Sequence, residues 1–145
     1  MRKVLALCAL VLTLLLTGCS GAEEENIVEI GERFFVTRIN DILFTNTRDY
    51  IGRTIRYEGM FWTVYWEPTG RDHFYVIRYT DGCCGDHDSS IGFELRLNGA
   101  RSLPDDTWVE VTGVLEEADD GIQHVRLRVV SLRELDERGL EFVDS

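Results

Sequence analysis

Positive charge is scarce in this sequence: 15 basic residues stand against 26 acidic ones in 145. An acidic surface repels phosphate backbones and anionic lipid, which argues against nucleic acid as a partner despite seven Phe, five Tyr and three Trp. The signatures of catalysis are missing as well. No nucleophile elbow, no glycine-rich phosphate loop after a strand and no HExxH helix occurs, so the chain reads as a binding protein and not as an enzyme. Internal repeats are absent, and so is any low-complexity tract beyond a short acidic stretch near the N-terminus. Cysteine is sparse, with four in all.

Long hydrophobic runs are also lacking. Arg2 and Lys3 precede VLALCALVLTLLL, which is short and abruptly ended for a membrane span and fits a secretory signal peptide over residues 1–18. Leu16, Thr17, Gly18 and Cys19 resemble the lipobox of bacterial lipoproteins. The resemblance implies that Cys19 is lipidated and becomes the first mature residue, held on the extracytoplasmic face of the cell membrane by its acyl chains. Residues 20–26, SGAEEEN, offer nothing apolar to bury and read as a flexible tether that follows the lipidated cysteine. Residues 27–145 then form one small domain, since the mature length supports a single core and not two.

Loss of Arg2 and Lys3 leaves 13 basic residues against 26 acidic ones, a formal charge of −13 with His neutral. Cations are the natural ligands of such a surface. Loss of Cys8 with the signal, and lipidation of Cys19, leave the exported domain with the pair Cys83 and Cys84 in a compartment outside the reducing cytosol.

The mature chain is dominated by strand periodicity. TIRYEGMFWTVYW sets Ile55, Tyr57, Gly59 and Phe61 on one face and Arg56, Glu58, Met60 and Trp62 on the other, with Gly59 suggesting a bulge or sharp bend. HFYVIRYT is β-branched and aromatic, IGFELRL points Ile91, Phe93, Leu95 and Leu97 inward, and TWVEVTGVLEE repeats the alternation with Val109, Val111, Gly113 and Leu115. IQHVRLRVVSL closes the series with Val125, Leu127 and Val129 inward and Arg126 and Arg128 outward. IVEIGERFFV is a short strand or extended lead-in, and Ile39, Ile42 and Leu43 in RINDILFTNTRDYIG mark a short helix or a few turns. Five strands with interior glycines predict a mainly β fold, a small five-stranded antiparallel OB-fold-like barrel with a short N-terminal helical element.

The remaining chemistry concentrates in DGCCGDHDSS, residues 81–90, a loop between the second and third barrel strands. Gly82 and Gly85 permit the dihedrals of a tight turn. Adjacent Cα atoms lie about 3.8 Å apart across a trans peptide, so a Cys83–Cys84 disulfide would be strained and easily reduced, a switch and not a staple. Alternatively, Cys83, Cys84 and His87 offer two thiolates and an imidazole within five residues, Asp86 and Asp88 can add oxygen, and this mixture suits zinc or another late transition metal. His73 and His124, on other segments, are candidates for a fourth position. A third reading makes the cysteines small packing residues of a tight loop. Trp62, Tyr65, Trp66 and Tyr79 offer a possible binding face on the barrel, or cross-strand packing.

From Ile39 to Val114 the order of features resembles a bacterial family of two-component membrane-permease subunits that carry a soluble OB-like domain. The resemblance rests on Tyr50, Ile51 and Gly52 before the first barrel strand, Gly59 within it, Cys83 and Cys84, and Trp108 and Val109 ahead of Gly113. Where that family has Ala-Asp-Ala after its cysteine pair, this chain has Asp86, His87 and Asp88. The family has no assigned activity, and its membrane-spanning part has no counterpart here, so the chain looks like a lipoprotein version of the soluble domain. The resulting expectation is a lipid-anchored envelope module that binds a transition metal through Cys83, Cys84 and His87, with Asp86 and Asp88, and serves a permease or transporter. The alternative is a metal-free interaction module whose cysteine pair is structural or redox-active.

Overall fold

The computed structural model describes residues 27–81, 89–99 and 103–144. Six strands occur there: β1 (Ile27–Ile30), β2 (Thr54–Trp66), β3 (Arg71–Thr80), β4 (Ser89–Arg96), β5 (Trp108–Asp119) and β6 (Gln123–Glu134). They run in the order β1-β2-β3-β4-β6-β5, and β5 also pairs with β2, so β2 to β6 close into a barrel. The OB-like architecture expected from the strand pattern is present.

The pairing is mixed and not purely antiparallel, because β4 and β6 run parallel through Glu94↔Arg126 to Arg96↔Arg128. Parity requires this. Strand directions around a closed ring of five cannot alternate throughout, so one seam joins two strands of the same sense. β1 adds a second parallel pair at the edge of β2, with Ile27 opposite Thr54.

β2 changes partner along its length. Thr54 to Met60 pair with β5, whereas Met60 to Trp66 pair with β3. The bend expected at Gly59 lies at this exchange, where a Cβ would stand 2.7 Å from the Ile77 carbonyl oxygen. Only glycine lets the two backbones approach so closely. The register shift in β5 falls between Thr112 and Gly113, at the interior glycine of that strand.

The helical element is α1 (Phe35–Asn40), a π-helical turn at Asp41–Thr45 and α2 (Thr47–Tyr50). α1 is too short to be stable alone. It is held by Phe35, Val36 and Ile39, which with Ile42 enter the same core as Ile55, Phe61, Val76, Phe93, Val109 and Leu127. Each large side chain buried there contributes about 1.5–3 kcal/mol. Among the described residues, every buried core residue lies between Ile30 and Val143.

Tyr57 sits between Phe35 and Phe93, with ring centroids 5.8 and 5.7 Å away. Its hydroxyl donates to the Val76 carbonyl at 2.7 Å and accepts from the Phe93 N–H at 3.1 Å. Burial pushes the phenol far above its ordinary pKa, so the hydroxyl stays a donor at any working pH. Tyr57→Phe strands both backbone groups inside the barrel. The expected cost is about 2 kcal/mol, measured by urea unfolding.

The C-terminal segment fills a gap left by β2. The β2–β3 ladder ends at Met60↔Ile77, and beyond it the Tyr79 N–H donates to the Glu141 carbonyl while the Val143 N–H donates to Tyr79. Val143 is thereby buried, and the end of the chain is a structural strap. Among the described residues, no helix is long and apolar enough to cross a membrane.

Candidate metal centre

The strand register gathers three polar side chains from distant parts of the sequence. Glu94 on β4 is paired with Tyr75 of β3 on one side and Arg126 of β6 on the other. His73 and His124 each lie two residues from those partners, so by the period of a strand all three side chains stand on one face of three adjacent strands. That is the outer face, since Phe93 and Leu95 point into the core. The β2–β3 turn (67–70) and the β5–β6 turn (120–122) rise beside them and form a cleft of about 250 Å³.

Glu94 joins the two histidines. His73 Nδ1 is 2.7 Å from Oε1, and His124 Nε2 is 2.8 Å from Oε2. His73 and Glu94 are well shielded, 3% and 11% exposed, and His124 is 27% exposed toward the cleft. Trp66 covers His73 at a ring distance of 5.5 Å, and Thr69 Oγ1 lies 2.9 Å from His73 Nε2. A threonine hydroxyl can donate to that nitrogen, which makes Nδ1–H the donor to Glu94. His73 is therefore satisfied at both ring nitrogens.

His124 is not. Its Nδ1 lies 2.8 Å from the Ile122 carbonyl oxygen, which can only accept, so Nδ1 must carry a proton. In the neutral ring Nε2 is then a bare lone pair. It is buried, makes no hydrogen bond and faces a carboxylate oxygen. Two acceptors at 2.8 Å repel unless a cation lies with them, and the cation can be a proton on the ring or a metal ion.

A third donor is at hand. Ligand atoms of Glu94, Asp120 and His124 lie within 4.8 Å of one another. Asp120 comes from the β5–β6 turn and is steadied through Oδ2 by Arg71 and by Arg126 Nη1, the latter at 3.3 Å. The three donors thus come from β4, β6 and the turn that precedes β6.

The structure distributes the residues singled out by sequence. Cys19, Cys83, Cys84, Asp86, His87 and Asp88 lie outside the described residues. The base of the cysteine loop is described, because Thr80 pairs with Ser89. His73 stands seven residues along β3 from Thr80, about 23 Å at roughly 3.3 Å per residue. His73 and His124, named as candidates for a fourth ligand of that loop, are joined to each other through Glu94. Trp66 lines the cleft, Tyr65 is 63% exposed beside it, Trp62 lies opposite Tyr75, and Tyr79 holds the C-terminal strap. The four aromatics are therefore spread over both ends of the β2–β3 pair. Glu94 and Asp120 were missed by sequence reasoning, since one reads as an outward strand residue and the other as a turn former.

The domain of unknown function DUF1980, in its C-terminal domain, matches residues 19–138, more than four-fifths of the chain. The chain belongs to the DUF1980 C-terminal domain family. No curated protein and no solved structure shows significant similarity to it. For this DUF1980 domain the functional argument therefore rests on its own residues.

Proposed function

We propose that this DUF1980 C-terminal domain is a lipid-anchored module on the extracytoplasmic face of a bacterial membrane that binds a late transition metal such as zinc. Glu94 and His124 are the principal ligands, Asp120 supplies the third, and His73 is a positioning residue that holds the Glu94 carboxylate. The observation that carries this reading is the convergence of His124 Nε2 and Glu94 Oε2 at 2.8 Å, with Asp120 beside them, a contact that needs a cation between or on its two atoms. The donor chemistry fits. One imidazole and two carboxylates suit zinc better than calcium or magnesium, and the bond from Nδ1 to the Ile122 carbonyl is the outer contact that orients ligating histidines. The acidic balance of the exported chain attracts cations to the cleft.

In this proposal the cysteine loop is a separate donor set, with Cys83, Cys84 and His87 as soft ligands and Asp86 and Asp88 beside them. The lipidation motif at Cys19 and the resemblance to permease subunits support a role beside an envelope transporter, to which such a module would pass its metal.

The test is zinc titration of the exported chain, residues 20–145, by calorimetry, with elemental analysis of the purified protein. Glu94→Gln and His124→Ala are each expected to weaken binding in the cleft by about 100-fold, and the Cys83→Ser/Cys84→Ser variant to leave that binding unchanged. Unaltered zinc affinity and stoichiometry in both cleft variants would remove the proposed site.

A further inference from the structure

We infer that a metal held by Glu94, Asp120 and His124 keeps one coordination position open to the cleft, and that this position takes a neutral imidazole donor from outside the chain. The inference rests on the metal reading above. Among the described residues the group supplies three ligand atoms, one short of the four that a closed structural zinc site uses. The donors approach from the strand face and the β5–β6 turn. The side chains of Trp66, Pro68 and Ile122 across the cleft cannot ligate a metal, and His73, which also lines it, has both ring nitrogens engaged by Glu94 and Thr69.

The barrel does not need this metal to hold together. Its closure is made by backbone pairing of β2 with β5 and β4 with β6, and its core lies on the other face of β4. A three-donor site on β4, β6 and the β5–β6 turn, beside an open cleft, has the form of an exchange site.

The walls select the incoming donor. A flat indole and a branched aliphatic chain suit a planar, weakly hydrated ring, and Trp66 already lies against the imidazole of His73 at 5.5 Å. A neutral donor is favoured over an anion, because Glu94 and Asp120 already bring two carboxylates to the position and the exported chain carries a formal −13. A neutral imidazole nitrogen brings a lone pair without charge. Trp66 at 36% and Ile122 at 61% exposure leave the rim accessible to a histidine side chain on another protein as well as to a free ring.

Cobalt(II) makes the position visible, since its ligand-field spectrum reports coordination number. The exported chain loaded with cobalt(II) would be titrated with imidazole and, in parallel, with a terminally blocked Ala-His-Ala peptide. Saturable spectral change with both is expected. Trp66→Ala should weaken imidazole binding by about fivefold beyond whatever change in cobalt affinity the same variant shows. Saturation by imidazole but not by the peptide would assign the position to free small molecules and overturn access by a protein side chain. Cobalt that binds with wild-type dependence on Glu94 and His124 yet shows no response to imidazole would overturn the open position and leave the metal site standing. Cobalt that fails to bind at all would overturn both.

Discussion

Arg78→Ala is expected to destabilise the domain by about 4 kcal/mol and to lower its melting temperature by about 15 °C. Among the described residues Arg78 is the largest fully buried side chain, 2% exposed, on the face of β3 that also carries Phe74 and Val76 into the core. Its guanidinium lies over Phe35 at 4.8 Å and over Trp108 at 4.9 Å. Nε donates to the Glu58 carbonyl at 2.7 Å, Nη1 donates to the Leu140 carbonyl at 3.1 Å, and Glu32 supplies a carboxylate at 3.6 Å. One planar cation thus joins β2, the residues leading into α1, and the C-terminal strap.

Alanine removes the donor from two carbonyls and leaves a void between two rings. Arg78→Lys keeps the charge but not the plane or the fork, so it should recover less than half of the loss. Thermal unfolding of the two variants separates these contributions. A loss under about 1 kcal/mol for alanine would mean that the strap and α1 are held by their apolar contacts alone.

Gly92→Ala is expected to cost about 3 kcal/mol and to weaken zinc binding together with stability. A Cβ at Gly92 would stand 2.0 Å from the Val76 carbonyl oxygen and 2.9 Å from the Ile77 Cα. Both are backbone atoms of β3, so no rotamer change relieves the clash and β4 must shift against its neighbour. Glu94 lies two residues further along β4, where displacement pulls its carboxylate from His73 and His124. Urea unfolding and zinc titration on the same protein test the coupling. Lost stability with unchanged zinc affinity would place the adjustment between Ser89 and Ile91, away from the cleft.

The sequence by itself determined the strands, because burying one face of a strand imposes a period of two. Ile55 and Tyr57, Phe93 and Leu95, and Val109 and Val111 each alternate with polar neighbours and point into the core. The interior glycines also spoke locally: Gly59 marked the bend in β2 and Gly113 the irregularity in β5. The parallel seam was decided by closure, which acts on the whole ring and leaves no mark on any one strand. Tertiary structure alone decided the cleft. His73, Glu94 and His124 are 21 and 30 residues apart in sequence, and only the register of three strands sets them side by side. Arg78 followed the same rule: within HFYVIRYT it shares a face with Phe74 and Val76, and the partners that accept a buried guanidinium there, the C-terminal strap, Phe35 and Trp108, arrive from elsewhere. Periodicity reports which face a residue takes, whereas the partners on that face are set by long-range pairing that no local pattern encodes.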